Sequence, residues 1–414
     1  HQLWDTDDKN SILLNSGIIT MGNQVKGTGS ADEVKTVINK NMIGIMIDYA
    51  SSNSNTSIVN TKQKNNQTIN AGEINIKQEN FNEGISKTHN NIAISFEENE
   101  DGAKNSNATL KDEVYLGKIN IGEGTTQNYG FRMGNIYTNS SKYFDETKII
   151  GKVEDNQIII DNDNHFIEGS QSNIKSENGK QYIEYTSDIV VAGTQNAGMV
   201  VGKSLSKSAS GYTGSESNSV NPIDNFENIS IKVNGDQTIG FVRDKNYSNN
   251  NINDMVITSS NLNNVRFGTN ATNSVLFRSE MYGITNETII KVATENDKNT
   301  QEKVGEENIN TETYNVAMQA MAQSWDRDGD EKKDTNSSGS VTNGEKGSIS
   351  GDVSNMIGIM ASGNTELSDG ENNSNWQNSD KLNDGKALAT NKGTISLNGN
   401  SNIGMAIMDE NKGN

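Results

Sequence analysis

The chain has no cysteine and one proline, Pro222, in 414 residues. Without cysteine there is no thiol catalysis, no disulfide framework and no Cys-ligated zinc, so an extracellular chain of this kind needs another source of stability. Aromatic residues make up 6% and apolar residues 31%, well below the roughly 45–50% apolar content of an ordinary globular domain. A single thick core is therefore excluded. The chain is either largely unfolded or built around a thin core repeated many times. No apolar run reaches the roughly 18 residues of a membrane-spanning helix. Basic residues are also short, 35 against 54 acidic, for a net charge of -19. That balance argues against nucleic acid as a partner, because such affinity comes mainly from Lys and Arg neutralising phosphates. The first residues, His1 to Asn10, carry no charged-then-apolar export signal; if the protein is secreted, that signal is expected outside these residues.

What is abundant is asparagine and glycine, 65 and 39 residues, about a quarter of the chain. Beneath them runs a repeat. A small-residue phrase recurs nine times: Ile43-Gly44-Ile45, Ile92-Ala93-Ile94, Tyr129-Gly130-Phe131, Ala197-Gly198-Met199, Ile239-Gly240-Phe241, Ser274-Val275-Leu276, Val316-Ala317-Met318, Ile357-Gly358-Ile359 and Ile403-Gly404-Met405. Its third residue is always large and apolar. An Asn stands one to three residues ahead of most copies, as at Asn41, Asn128, Asn196, Asn355 and Asn402. About ten residues earlier comes a Gly-Ile phrase, as in Gly72-Glu73-Ile74-Asn75-Ile76, Gly117-Lys118-Ile119-Asn120-Ile121 and Gly393-Thr394-Ile395-Ser396-Leu397. Both alternate apolar with polar residues, the period of a strand with one buried face. Asn234-Gly235-Asp236 and Asn398-Gly399-Asn400 lie between the phrases, and such residues tolerate sharp corners. The middle residues are spaced 49, 37, 68, 42, 35, 42, 41 and 46 apart. The 68-residue interval suggests a hidden unit around Ile158-Ile159-Ile160 and Phe166-Ile167.

Short strands at near-fixed intervals, with the remainder varying, predict an all-β chain. The expected fold is a right-handed parallel β-helix, a solenoid with long loop insertions, forming one unit over residues 1–414. Methionines such as Met42, Met46, Met199, Met356, Met360, Met405 and Met408 read as core filler, since Met adapts to irregular gaps.

Four stretches lack the period and are expected to leave the coils as loops: 97–112, 203–222, 295–346 and 361–390. Insertions on a solenoid gather on one face, often the binding face. Tyr212, Trp325 and Trp376 fall in them. Each tryptophan either packs down on its own coil or meets a sugar face or protein partner. The run containing Asp326, Asp328, Gly329, Asp330 and Asp334 resembles short calcium loops of the thrombospondin or dockerin type, since carboxylates around a glycine bend offer hard oxygens. It departs from the EF-hand spacing, and a plain solvated acidic loop explains the same residues. No other cofactor is expected. Asp161-Asn162-Asp163-Asn164-His165 reads as a turn between strands rather than as a catalytic cluster, and no catalytic residues are assigned.

The phrases Asn391-Lys392-Gly393-Thr394-Ile395-Ser396 and Asn402-Ile403-Gly404-Met405, on an Asn-rich, Cys-free, nearly Pro-free background, resemble the passenger region of the large fusobacterial autotransporter adhesins, of the galactose-inhibitable or arginine-inhibitable type. The resemblance implies type V secretion and an extracellular passenger held at the outer membrane of a Gram-negative bacterium, itself not embedded in the membrane. It implies as partners host-cell glycans, an immune receptor or other bacteria. Because Asn411-Lys412-Gly413 repeats Asn391-Lys392-Gly393, a further unit is expected after Asn414. A non-binding spacer and a β-helical polysaccharide-degrading enzyme are the alternatives.

Overall fold

The computed structural model describes residues 12–22, 35–49, 67–78, 84–98, 113–133, 136–138, 149–150, 152–154, 157–159, 166–168, 174–177, 180–183, 187–201, 204–206, 229–243, 255–259, 262, 264–280, 282–293, 314–325, 335–364 and 387–409. Among these residues the chain is all-β, without a helix, and most strands pair in parallel with strands far away in sequence.

The nine small-residue phrases form nine strands: Ile43–Tyr49, Ile92–Glu98, Tyr129–Met133, Ala197–Val201, Ile239–Arg243, Val275–Ser279, Asn315–Trp325, Met356–Asn364 and Ile403–Asp409. Each pairs in parallel with the next, in chain order. The register aligns Ile45, Ile94, Phe131, Met199, Phe241, Phe277, Met318, Ile359 and Met405. All are buried except Met405, in the last strand of the series, which is 48% exposed. The rings of Phe241 and Phe277 pack at a tilt of 48°, with centroids 6.2 Å apart.

One repeat shifts from its expected alignment. Val275 pairs with Ile239 and Val316, so the sixth phrase is Val275-Leu276-Phe277 rather than Ser274-Val275-Leu276. The intervals on either side become 36 and 41 residues. The larger aromatic takes the ladder position, and Leu276 becomes the exception in the Gly/Ala column.

The Gly-Ile phrases form a second column, facing the first. Its strands are Ile18–Met21, Glu73–Ile76, Lys118–Ile121, Ser187–Val191, Ile229–Val233 and Asn264–Phe267, followed by a three-stranded sheet of Ile289–Lys291, Ser348–Asp352 and Thr394–Asn398. Ile19, Ile74, Ile119, Ile189, Ile231 and Val265 align in the first sheet, and Ile290, Ile349 and Ile395 in the second. Ser187–Val191, Asn264–Phe267 and Ile289–Lys291 have no leading glycine, the mark by which their relatives are recognised. The closeness of the two columns explains the small middle residue. A Cβ on Gly198 would lie 2.7 Å from the Gly240 carbonyl and 3.0 Å from a methyl of Ile231 and of Val191; one on Gly44 would lie 2.7 Å from the Ala93 carbonyl. Leu276 occupies the rung at which the facing column breaks between its two sheets.

A third set of strands completes the rungs: Ile12–Asn15, Gln67–Asn70 and Glu113–Tyr115 in one sheet, with Met255–Ile257, Tyr282–Asn286, Thr335–Asn343 and Leu388–Asn391 farther along. Many of these strands end in Asn, and the amides bond from rung to rung. Asn15 Nδ2 donates to Asn70 Oδ1 at 2.8 Å, Asn286 Nδ2 to Asn343 Oδ1 at 2.9 Å and Asn343 Nδ2 to Asn391 Oδ1 at 2.9 Å.

The corner before each small-residue strand holds two asparagine-rich positions with different tasks. Asn41, Asn90, Gln127, Gln195, Gln237, Asn273, Asn355 and Ser401 all have φ between 49° and 58°, the left-handed region that Asn tolerates better than most residues. In six of these eight corners the next residue is Asn, Thr or Ser, and its side chain bonds a neighbouring rung. Asn128 Oδ1 accepts from Asn91 N at 2.9 Å, and Asn196 Oδ1 accepts from Asn128 N at 2.7 Å. Thr238 and Ser274 continue the chain through their hydroxyls, 3.0 Å apart. Asn41 and Asn355 thus turn the corner, while Asn128, Asn196 and Asn402 tie rungs together.

The 68-residue interval contains no hidden unit. Lys118–Ile121 pairs directly with Ser187–Val191, and Tyr129–Met133 with Ala197–Val201. Between them, Ile136–Thr138 pairs in parallel with Ser204–Ser206, and the other described strands run antiparallel: Gln157–Ile159 pairs with Lys152–Glu154 and Phe166–Glu168, and Lys180–Ile183 with Ile174–Glu177 and Ile149–Ile150. Composition misleads here, because Ile158 and Phe166 have the right character for a rung but lack the small residue and the corner ahead of it. Met46 also departs from the core-filler expectation, being exposed on the outer side of its strand.

Candidate functional site

The described strands fix between which strands each variable segment lies. From the third set to the Gly-Ile column the link is usually two residues: 16–17, 71–72, 116–117, 287–288 and 392–393. From the Gly-Ile column to the small-residue column six of nine links are short, 122–128, 192–196, 234–238, 268–274, 353–355 and 399–402, while 22–42, 77–91 and 292–314 are long, the first two containing the paired strands Lys35–Lys40 and Gly84–His89. The third junction differs. After the small-residue strands the chain runs through 50–66, 99–112, 134–186, 202–228, 244–254, 326–334 and 365–387 before the next column strand, and only 280–281 is short. Seven of eight links at this junction are therefore long.

This distribution has a physical basis. The corner directly before the small-residue strand is packed with inward amides and left-handed residues, so where length is added at this junction, in 22–42, 77–91 and 292–314, it is added ahead of that corner. Asn196 alone donates to the Ala192 and Thr125 carbonyls at 2.7 and 3.1 Å. A Cβ on Gly235 would lie 2.3 Å from the Gly193 carbonyl, and one on Gly399 (φ +147°) 2.2 Å from that of Val353. The chain departs more often after the far end of the small-residue strand.

The expected insertion 295–346 divides under this geometry. Residues 295–313 lie on the link from Ile289–Lys291 to Asn315–Trp325, whereas 326–334 lie at the permissive junction. Between them, Asn315–Trp325 and Thr335–Asn343 are strands, and Val316, Met318, Ala320 and Val341 are buried. Asn315–Trp325 is the longest strand of the series; it keeps its parallel partner Met356–Asn364 and also turns back on Thr335 to Ser338 antiparallel. The other expected insertions also begin or end in strand, at Glu98, at Ser204–Ser206, at Asn364 and at Leu388.

Trp325 ends its strand opposite Thr335. Asp326, Asp328, Asp330 and Asp334 lie between this pair but outside the described residues, as do Tyr212 and Trp376. The acidic segment is therefore spanned by a closed β pair. Among the described residues no group of three or more His, Cys, Asp or Glu is placed to hold a metal ion. Asp161 to His165 also lie outside them, and the strands on either side pair antiparallel, Ile159 opposite Phe166. The outer face of the Gly-Ile column is polar: Lys118 Nζ lies 3.4 Å from Glu73 Oε2, and Asn120 donates to Glu73 and Asn75. An exposed pair of this kind contributes little and marks no site. No helix among the described residues is long and apolar enough to cross a membrane.

The arrangement offers repeated attachment points for variable segments along one junction. Sequence reasoning found most of the segments by their missing period; the shared junction has no sequence signal, because spacing alone does not say at which corner a residue is added. No protein family, curated protein or solved structure matches this chain.

Proposed function

We propose that this chain is a segment of a cell-surface adhesin: a right-handed parallel β-helical passenger whose side loops bind ligands on host cells or partner bacteria. The observation that carries the reading is the gathering of long links at one junction in seven of eight units, the pattern of a solenoid that varies its loops while conserving its rungs. The resemblance to fusobacterial autotransporter passengers adds the route, type V secretion, and the place, outside the outer membrane. A chain free of cysteine suits that route, since no disulfide can lock it before it crosses the membrane.

Binding in this reading comes from a few aromatic anchors in polar surroundings, Trp325, Trp376 and Tyr212, and is multiplied by many copies on one cell. The ligand class is a glycan or a protein receptor. Calcium, held by Asp326, Asp328, Asp330 and Asp334, would order the segment after Trp325 and bring its carboxylates to one point.

The test is attachment of the purified chain to host cells, a glycan array and partner bacteria, alongside variants lacking 326–334 or 365–386. Each deletion is closed with a short Gly-Ser linker, since Trp325 and Thr335 stand opposite each other in an antiparallel pair and need a turn to join them. At least one is expected to abolish attachment, with chelator mimicking the first deletion. No attachment by the intact chain would leave it a spacer, and full attachment by both variants would take the binding role away from these two segments.

A further inference from the structure

We propose that the corner before the small-residue strands carries a binding strip for one linear, uncharged saccharide chain, laid across the rungs with one sugar unit to each. Single β-bridges align Thr126, Thr194, Asp236 and Thr272 from rung to rung. The residue after each of them, Gln127, Gln195, Gln237 and Asn273, makes a second row beside the first. The three glutamines are exposed, as are Thr194 and Thr272. All four rungs lie inside the strand series, with paired strands before and after them.

The turn does not call for glutamine. Gln127, Gln195 and Gln237 have φ of 56°, 56° and 51°, in the left-handed region that Gly and Asn enter most readily. Asn90, Asn273 and Asn355 show that Asn serves the same corner in other rungs. Three consecutive rungs therefore hold a longer side chain than the backbone favours. A local rule broken repeatedly at exposed positions points to a use outside the fold. What Gln has over Asn is one methylene of reach into solvent.

The strip is ordered in advance. Gln195 Nε2 donates to Gln237 Oε1 at 3.1 Å, and Gln127 Nε2 reaches Gln195 Oε1 at 3.5 Å. Asp236 Oδ1 accepts from Thr272 Oγ1 at 2.8 Å and from Asn273 Nδ2 at 3.2 Å. Side chains held in this way have less freedom to lose on binding. A carboxamide carries two N–H groups and two acceptor lone pairs, so Gln195, with one bond given and one received, has one of each to offer. Sugar hydroxyls likewise donate and accept.

Charge, spacing and size narrow the ligand. Asp236 is the only ionisable residue in the two rows, and the whole chain carries a net charge of -19, so an anionic polymer meets no cation here. Rungs repeat at about 4.8 Å, close to the length of one unit in an extended β-linked saccharide. Four rungs by two residues cover on the order of 100 Å², far below the roughly 800 Å² per partner of a stable protein interface. The strip lies at the opposite end of the small-residue strands from the long links that follow them, and it does not depend on what those links bind.

Cellulose-type glucose oligomers and chitin-type N-acetylglucosamine oligomers, from dimer to hexamer, are titrated into the whole chain by calorimetry. At least one series binds, and affinity rises roughly tenfold or more from dimer to tetramer as further rungs add hydrogen bonds. Gln127→Asn with Gln195→Asn shortens the strip but keeps residues suited to the turn. Its denaturant midpoint matches or exceeds that of the parent chain, and its tetramer affinity falls by about fivefold or more. Thr194→Val, which removes a hydroxyl and keeps the side-chain shape, weakens binding too. Deleting 326–334 leaves the titration unchanged, which separates the strip from the adhesin reading of that segment. No binding by either series, equal affinity for dimer and tetramer, or full affinity in the glutamine variant would overturn the strip.

Discussion

Replacing Asn128 by alanine destabilises the folded chain by about 3–5 kcal/mol, the range expected when a buried network loses a central member. Asn128 is fully buried at the corner before the third small-residue strand. Its Oδ1 accepts from Asn91 N at 2.9 Å and Asn91 Nδ2 at 3.0 Å, and its Nδ2 donates to Asn196 Oδ1 at 3.1 Å and to the Thr88 and Thr126 carbonyls at 3.2 and 3.0 Å. Alanine leaves the Asn91 amide and backbone N–H buried without those acceptors, each costing about 1–3 kcal/mol, and no water-sized path from solvent is needed to see why the cost is high. Asn128→Ser should recover part of the loss, since Thr238 and Ser274 occupy this position two and three rungs farther on with hydroxyls that bond from rung to rung. Gln195→Ala is the contrast. Its amide also ladders, donating to Gln237 Oε1 at 3.1 Å, but in solvent, and its loss should stay within about 0.5 kcal/mol. Denaturant midpoints measure all three, and equal effects at Asn128 and Gln195 would refute the inward assignment.

Gly198→Val is the second large effect, a loss of about 3 kcal/mol, the upper part of the usual overpacking range. The new side chain has no direction in which to yield. Its Cβ meets the Gly240 carbonyl at 2.7 Å and methyls of Ile231 and Val191 at 3.0 Å, so the two facing columns must separate. Because each rung contacts chiefly its neighbours, the damage should be local: hydrogen exchange should quicken in Tyr129–Met133, Ala197–Val201 and Ile239–Arg243 and not in Met356–Asn364. Gly404→Val is the matched control, since a Cβ there meets nothing within 4 Å. Uniform loosening of all nine strands would contradict the nearest-neighbour picture.

The rungs could be read from the sequence because their physics is local and repeated. A strand with one buried face alternates, and the approach of two columns demands a small residue at a fixed place, so Gly44, Ala93, Gly130 and Gly358 stand out without structural help. The register of Val275 could not be read so easily: Ser274, Val275 and Leu276 fit the apolar pattern, and only the partner strands show that Phe277 takes the ladder position. The direction of the strands around Ile158 and Phe166 was hidden for a related reason, since apolar alternation is the same for parallel and antiparallel pairing. The corner glutamines gave no warning, because Gln127, Gln195 and Gln237 are poor left-handed residues by themselves; the signal was their alignment with Asn41, Asn90, Asn273 and Asn355. Of the candidate site, the segments were legible as absences of period, and Trp325, Trp376 and Tyr212 as aromatics within them. Their common junction was not, because it follows from how the three sets of strands connect.

The pairing of strands across the longest interval is what the account rests on, and paired cysteines test it in a chain that has none of its own. Lys118 and Asp188 stand opposite each other on the exposed face of adjacent parallel strands, where Cα atoms about 4.8 Å apart suit a disulfide. Lys118→Cys with Asp188→Cys should oxidise to an intramolecular bond, found by mass mapping, while the folded signal is kept. Lys118→Cys with Ser230→Cys, one strand farther on, should not close, since that gap of roughly 10 Å exceeds disulfide reach. A bond in the second pair and none in the first would contradict the strand order.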